Sequence, residues 1–173
     1  MEFCEVLLKR HCVRKFDSRK NITDDQINKL LKNASLSPSE GNIQPWFFIV
    51  VKKQELKEKL TETIFGNINI EKASVIFITC INQIDTYSKY GYRGLNLYSI
   101  QSTAAATEHL FLEAAELGLD ACWIGNFDEN KVKEILDLNE NLRPVAIMPV
   151  GYSAEKTFKT SRKNIKEISK IIE

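Results

Sequence analysis

The chain has 173 residues, of which 43% are hydrophobic, and this is enough for one domain with a substantial core because no linker rich in proline, glycine or serine divides it. Its 24 Lys and Arg residues nearly balance its 23 Asp and Glu residues, so no net charge attracts nucleic acid or an acidic membrane surface. The four cysteines lack Cys-x-x-Cys spacing and only two histidines are present, which argues against a metal site.

The first thirteen residues do not have the pattern of a secretion signal. Charged side chains interrupt them, at Glu2, Glu5, Lys9 and Arg10. No apolar run approaches the roughly 20 residues that a spanning helix needs. We therefore expect a cytoplasmic protein with reduced thiols and no membrane segment.

The first half of the chain predicts a helix followed by buried strands. Thr23 to Gln26 form a capping box, and the residues after them have the apolar spacing of one helical face. Phe47 to Val51 and Val75 to Ile81 are continuous apolar runs rich in β-branched and aromatic residues, which is typical of buried strands. The spacing of three apolar residues between these runs indicates a helix, at Leu56, Leu60 and Ile64.

The second half begins with a segment of poor periodicity, Asn82 to Tyr98, which predicts a mobile loop. A helix free of Gly and Pro follows over Ser99 to Leu117. The remaining expectations are a short helix capped by Asp128, a strand over Pro144 to Val150, and a last helix with Ile165, Ile168 and Ile172 on one face. This order predicts one α/β or α+β sandwich domain over residues 1–173.

Polar, turn-forming residues precede the first strand. Pro38 and Gly41 favour a turn, and Ser39, Asn42 and Gln44 carry groups that can hydrogen-bond to the edge of a heterocycle. The segment is therefore interpreted as a ligand loop. The alternative is an ordinary polar turn before the apolar strand.

Two basic segments far apart in the chain are candidate anion sites. Arg10 and Arg14 are four residues apart, so a continuing helix would place them on one face, and both suit a phosphate. Arg162 and Lys163 precede the predicted last helix, where backbone N–H groups also favour an anion. The alternative in both cases is a solvated, charged helix end.

Together with the stretch Leu117 to Gly125, these motifs resemble the nitroreductase-like family of flavin mononucleotide (FMN) enzymes. The resemblance implies a mixed, mostly antiparallel sheet with helices on both faces. It also implies a homodimer in which the loop of one chain faces the arginines of the other. It implies cofactor contacts from Arg10, His11, Cys12, Arg14, Pro38, Ser39, Asn42, Gln44, Ile124, Gly125, Asn126, Arg162 and Lys163. Cys12 stands where relatives usually carry Ser, and Asn126 where they commonly carry Gly.

The resemblance also implies an activity. NAD(P)H would deliver hydride to flavin N5, and the reduced flavin would reduce a nitroaromatic, a quinone or a flavin in a ping-pong reaction. No side chain would act as nucleophile, and Arg14 is the candidate for stabilising negative charge near flavin N1 and the C2 carbonyl. An alternative function is a non-catalytic FMN carrier or sensor. A further alternative, a structural interaction module, predicts a colourless protein.

Other polar sets carry less chemistry. Glu113, Glu116 and Asp120 are predicted to form a solvated face rather than an acid–base pair. Tyrosines of the predicted loop could stack on an aromatic acceptor, but a plain surface loop is an equal alternative.

Overall fold

The computed structural model describes residues 2–66, 68–157 and 160–173. In chain order its elements are α1 Phe3–Lys9, α2 Asp24–Ser35, a 3-10 turn Glu40–Asn42, β1 Trp46–Val51, α3 Gln54–Thr61, β2 Val75–Asn82, α4 Gln83–Arg93, a π-helical turn Gly94–Tyr98, α5 Ser99–Glu116, β3 Asp120–Ala121, α6 Glu129–Ile135, β4 Leu142–Gly151 and α7 Ile165–Ile168.

The four strands form one antiparallel sheet in the order β1-β2-β4-β3. β2 is central and buried along nearly its whole length, which explains its uninterrupted apolar sequence. One core cluster packs α2 and α5 on one face, through Leu30, Phe77 and Leu110. The other packs α3 and α6 on the opposite face, through Leu60, Ile78 and Val132. The predicted α+β sandwich is confirmed.

The helix starts follow from local sequence. The Thr23 hydroxyl accepts a hydrogen bond from Gln26 N at 3.2 Å, and Gln26 Oε1 accepts one from Thr23 N at 2.9 Å, so the predicted capping box is present. Asp128 Oδ1 accepts from Asn130 N and Lys131 N at 3.1 Å each, which caps α6 as predicted.

The loop predicted over Asn82 to Tyr98 is wrong, because these residues form α4 and the π-helical turn. Asn82 Oδ1 caps α4 by accepting from Ile84 N at 3.3 Å. A Cβ at Gly94 would lie 2.8 Å from the Thr86 carbonyl oxygen, so only Gly allows this close packing. Periodicity failed here because α4 kinks at Gly91, where φ is 56°.

Two other helix predictions are corrected in length. α3 ends at Thr61, and Ile64 instead forms an isolated bridge with Phe127. α7 covers only Ile165–Ile168, and Ile172 lies beyond it, 84% exposed. Within the described part of the chain, no helix combines the length and apolar character needed to cross a membrane.

Candidate functional site

The segment after α1 passes beside β3 and forms one isolated bridge to it. α1 ends at Lys9, so Arg10 and Arg14 do not share a helix face, and that prediction is wrong. Instead Cys12 pairs in parallel with Ala121, and Val13 N donates to Ala121 O at 3.0 Å. Arg10 and Arg14 still lie near each other, since the charges of both help to lower the pKa of the Cys12 thiol between them.

The two arginines are held differently. The Arg10 guanidinium lies 4.8 Å from the centre of the Phe111 ring, and its Nε is 3.8 Å from Glu108 Oε1. Burial is the main cause that raises the pKa of Glu108, and the charge of Arg10 opposes it. Arg14 is exposed, while its backbone N donates to Glu155 Oε1 at 2.8 Å. Arg10 is therefore positioned by packing, and the side chain of Arg14 extends toward solvent.

His11 connects α1 to the edge of the sheet. Its Nε2 lies 3.4 Å from Asp120 Oδ1, and its Nδ1 contacts the Lys9 carbonyl oxygen. Asp120 Oδ2 also accepts from Ser153 N at 2.7 Å. Asp120 is thus a structural partner. The prediction that Glu113, Glu116 and Asp120 form a solvated face is wrong. Glu113 and Glu116 are half-buried, and Glu113 accepts a hydrogen bond from Asn33 Nδ2 at 2.5 Å.

The segment after β3 continues the same surface. Ile124 N donates to Ile147 O at 2.9 Å, so the Ile124 N–H is already used within the fold. The Asn126 carbonyl oxygen accepts from Phe65 N at 3.1 Å. Among the described residues, the backbone N–H groups of Gly125 and Asn126 have no hydrogen-bond partner. A Cβ at Gly125 would meet no atom within 4 Å, so a ligand has room there.

Cysteine chemistry distinguishes the Cys12 position. The neighbouring Cys122 thiol, the Trp123 backbone N–H and then the two nearby arginines lower the pKa of Cys12. The Cys12 thiolate and burial raise the pKa of Cys122. Cys80, fully buried in β2, has its pKa raised to about 12 by burial. These groups therefore favour the thiolate form of Cys12 over the thiol.

The polar turn before β1 has an unusual backbone. Gly41, Asn42 and Gln44 all have positive φ, at 52°, 56° and 54°. The Ser39 hydroxyl oxygen closes the turn by accepting from Gln44 N at 2.9 Å. Non-glycine residues at positive φ cost energy, and such strain is concentrated at functional sites. The turn is therefore held in a form that its own sequence does not favour.

Helix α4 supports this turn. Lys89 Nζ donates to the Gly41 carbonyl oxygen at 3.1 Å, and a Cβ on Gly41 would lie 2.4 Å from the Tyr90 hydroxyl. Glu40 N donates to Ser102 Oγ at 3.2 Å. The tyrosine-rich helix α4 therefore packs against the turn and supports its backbone conformation.

An open pocket of about 300 Å³ lies between the turn and the start of α5, at the lower end of the range for small-molecule sites. The predicted Pro38 and Ser39 line it. Tyr98, Gln101 and Ser102 line it too and were missed. Their spacing of three to four residues is that of one helix face, a signal hidden by the prediction that the loop extended to Tyr98.

The second predicted phosphate segment does not join the first within the described contacts. The side-chain hydrogen bonds of Arg162 go to Thr160 and to the Ser161 carbonyl oxygen. Lys163 is exposed. Their role toward an anion stays a prediction.

The sheet separates the two parts of the candidate site. The turn leads into β1 at one edge, and the Cys12 segment lies beside β3 at the other. Four strand spacings separate these edges, a lateral distance of about 19 Å. Among the described residues no hydrogen bond or ion pair joins the turn to the Cys12 segment. One chain therefore presents the two parts on opposite sides.

The chain is similar to a family model and to known proteins over most of its length. The protein-family model described as "Nitroreductase family" matches residues 7–79 and 70–152 of this chain. A protein of Archaeoglobus fulgidus named "Putative NADH dehydrogenase/NAD(P)H nitroreductase" is 34% identical over 164 residues, covering 91% of this chain and 90% of its own. The crystal structure of a nitroreductase family protein from Clostridium novyi NT superposes with a TM-score of 0.79 at 32% identity, covering 90% of this chain and 87% of that one.

A more distant structure shows how widely the fold is kept. A Staphylococcus epidermidis protein named a "putative NAD(P)H:FMN oxidoreductase" is only 22% identical, yet its TM-score is 0.89 with 99% of this chain and 96% of that chain covered. At this identity the likeness concerns the fold alone.

Proposed function

Since the chain belongs to the nitroreductase family of NAD(P)H-dependent oxidoreductases, we propose that it binds FMN and uses it to pass reducing equivalents from NAD(P)H to a nitroaromatic, a quinone or a flavin in a ping-pong reaction. The observation that carries the proposal is the bridge that joins Cys12, between Arg10 and Arg14, to Ala121. Nearby in sequence, the N–H groups of Gly125 and Asn126 have no partner in the part of the chain that the structure describes.

The donor groups fit FMN. A phosphate monoester is a dianion, and the charges of Arg10 and Arg14, which both help to lower the pKa of Cys12, make this part of the surface positive. The unpaired N–H groups of Gly125 and Asn126 suit a polar ring edge, and the open space at Gly125 lets the ring approach the backbone. Bound FMN would supply the two-electron chemistry.

The side chains would bind and orient the cofactor. Arg14 extends toward solvent, so its charge is free to lie beside the part of the ring where negative charge develops. Arg10, fixed by Phe111 and Glu108, would hold the phosphate end. Ser39, Asn42 and Gln44 would supply hydrogen bonds from the other side of the ring.

The separation of the two parts favours a homodimer. A single protomer has them on opposite sheet edges, so the turn that completes the site would come from a second copy. Large apolar side chains lie exposed on α1, with Phe3 67% and Leu8 73% accessible, and others follow in the C-terminal segment, including Ile165 at 71% and Ile171 at 86%. Such surfaces are typical of protein interfaces, and a two-fold dimer would bury the same apolar patch on both protomers.

The cofactor test compares FMN with riboflavin, which lacks the phosphate. Wild-type protein should bind FMN more tightly than riboflavin, and Arg10→Gln should reduce that preference by about tenfold, the size of one charge-assisted contact. Arg14→Gln should instead weaken the binding of both ligands alike, because Arg14 would face the ring that they share. Arg19→Gln is the matched control, because Arg19 pairs locally with Asp17 on the surface. Equal affinity for both ligands in the wild-type protein would contradict the phosphate site.

A mixing experiment tests the shared site. One protomer carries Arg10→Gln with Arg14→Gln, and the other carries Ser39→Ala with Gln44→Ala. Neither variant alone should bind FMN well. After subunit exchange in an equal mixture, half of the dimers are mixed and each has one intact site, so about one quarter of all sites should recover. No recovery in mixed dimers would place both motifs around a single-chain site.

Activity is tested on the FMN-loaded protein. Bleaching of the bound flavin by NADH or NADPH, followed by reoxidation with menadione, is the expected result. Flavin that stays oxidised under both nicotinamides would favour a carrier or sensor instead.

A further inference from the structure

A second cavity, larger than the pocket beside the polar turn, lies near the other end of β1. Its volume is about 560 Å³, within the range of small-molecule sites. Residues before α2, at the start of α3 and just before β2 surround it. The polar turn precedes the first residue of β1, whereas the cavity follows its last, so about 20 Å of strand separates them. None of the residues assigned to FMN lines this cavity.

Lys57 of α3 lines the cavity and is buried, with only 7% of its surface exposed. Its Nζ donates to the Ala73 carbonyl oxygen at 2.7 Å. An ammonium group has three N–H donors, and the other two have no partner among the described residues. No carboxylate oxygen in that part of the chain lies within ion-pair distance of Nζ. A buried charge without a counter-charge is costly, so an anion in the cavity would stabilise Lys57.

The acidic side chains of the cavity do not neutralise this charge. Glu58 Oε1 accepts from Gln54 Nε2 at 2.9 Å, and Glu71 Oε2 lies 3.2 Å from the Thr61 hydroxyl oxygen. Both carboxylates act on Lys57 only from beyond ion-pair distance, while burial is the main effect and lowers its pKa. Their remaining lone pairs suit hydroxyl groups of a ligand, and their charge disfavours a second anionic group.

Two further features make the cavity positive. The exposed Lys72 lines it and has no ion-pair partner among the described residues. Helix α3 begins at Gln54, another lining residue, and Lys53 before it caps no N–H group with its side chain. The first three N–H groups of α3 also lack an acceptor in the described part of the chain. A helix N-terminus favours an anion, and here it adds to the buried charge of Lys57.

We propose that this cavity binds the oxyanion group of a small hydroxylated metabolite, either a carboxylate or a phosphate, with Lys57 as its anchor. The oxyanion would accept from the two free N–H donors of Lys57 and from the start of α3, and Lys72 would add its charge. Hydroxyl groups of the ligand would donate to Glu58 or Glu71. The bound ligand would connect α3 to the loop before β2, so it would stabilise the folded protein at a place separate from the proposed FMN site.

The test follows the backbone amide NMR signals of Gln54, Ala73 and Ser74, which line the cavity, during titration of the isotope-labelled protein. The probes are inorganic phosphate and glycerol phosphate for one oxyanion, and acetate and glycerate for the other, at constant ionic strength set with chloride. We expect saturable shifts from at least one pair, with the hydroxylated member binding more tightly. The same shifts should appear with FMN bound, because FMN would displace an anion held only by Arg10 and Arg14.

Three single variants assign the binding to Lys57. Lys57→Gln keeps a donor for the Ala73 carbonyl oxygen and removes the charge, so it should weaken binding at least about tenfold, the size of one charge-assisted contact. Lys72→Gln leaves the buried group in place and should weaken binding about threefold, as expected of an exposed charge. Lys59→Gln is the matched control and should bind like the wild-type protein, because Lys59 is exposed on the same helix and does not line the cavity.

Three results would overturn the site. The first is the absence of a saturable shift from every probe up to about 50 mM, well above the millimolar range of weak binding. The second is an equal loss of affinity in Lys57→Gln and Lys59→Gln, and the third is loss of the shifts when FMN binds. If Lys57→Gln does not fold, the comparison of Lys72→Gln with Lys59→Gln decides. Equal affinity of a hydroxylated probe and its parent would contradict the contacts to Glu58 and Glu71.

Discussion

A substitution in the strained turn before β1 should change the stability of the protein and its affinity for FMN in opposite directions. Gln44 has φ of 54°, where a side chain with a Cβ is disfavoured by about 1–2 kcal/mol. Its backbone N–H is fixed by Ser39 Oγ, so the conformation is imposed by the turn. Gln44→Gly should relieve this strain.

The net gain is smaller than the strain. The glycine also lowers the free energy of unfolding by about 0.5–1 kcal/mol, because it gives the unfolded chain more conformational freedom. The Gln44 amide contacts to Asn42, at 3.4 and 3.5 Å, are too long to contribute much. Gln44→Gly should therefore stabilise the protein by about 0.5–1 kcal/mol, a rise of about 1–4 °C in the unfolding midpoint for a chain of this size.

Two further variants isolate the causes. Gln44→Ala keeps the strain and removes the amide, so it should weaken FMN binding about tenfold, as Gln44→Gly does, without the gain in stability. Asp137→Gly is the matched backbone control, because Asp137 has φ of 48° just beyond α6, away from the turn. It should raise stability by a similar amount and leave FMN affinity unchanged.

The measurements are thermal unfolding of the flavin-free protein and FMN titration by fluorescence. The reasoning fails if Gln44→Gly lowers the midpoint while Asp137→Gly raises it. It also fails if both Gln44 variants bind FMN like the wild-type protein, since the strain would then serve no ligand.

Three other changes test separate parts of the structure. Gly125→Ala should leave the unfolding free energy within about 0.5 kcal/mol, since a Cβ there meets no atom within 4 Å, yet weaken FMN binding in the same titration. Leu8→Glu, at a side chain 73% exposed in one chain, should leave the protomer folded and weaken self-association at least about tenfold by analytical ultracentrifugation; an unchanged dimer would remove α1 from the interface. Glu108 has a raised folded-state pKa, so its stabilising effect is present below its ordinary pKa and is lost as pH rises through the folded value. Chemical denaturation should therefore show Glu108→Gln gaining stability over wild type from pH 4 to pH 7.

Local signals predicted the framework of the fold well. The capping box of Thr23 and the apolar runs of β1 and β2 depend on neighbouring residues alone, so their sequence determines them. Position in space was harder to predict. The four-residue spacing of Arg10 and Arg14 suggested a helix face, but pairing with Ala121, more than a hundred residues away, extends that segment instead.

The same limit explains the tyrosine-rich segment. Its helix depends on a kink at Gly91 and on close packing of Gly94 against Thr86, and neither produces a periodic pattern. Because α4 was missed, the support that Lys89 and Tyr90 give to the turn was missed too. The turn residues themselves were predicted from composition, while their positive φ values follow from contacts that only the fold provides.

The edge location of both parts gives the proposed site a physical rationale. An edge leaves backbone groups unpaired, and among the described residues the N–H groups of Gly125 and Asn126, which follow the Ile124 bridge, have no partner. Had the turn and the Cys12 segment shared one edge, a single protomer could have enclosed a ligand. With about 19 Å between them, each protomer is left with two incomplete sites, and a two-fold partner would complete both. Affinity for FMN should accordingly fall when the protein is diluted below the dissociation constant of its dimer.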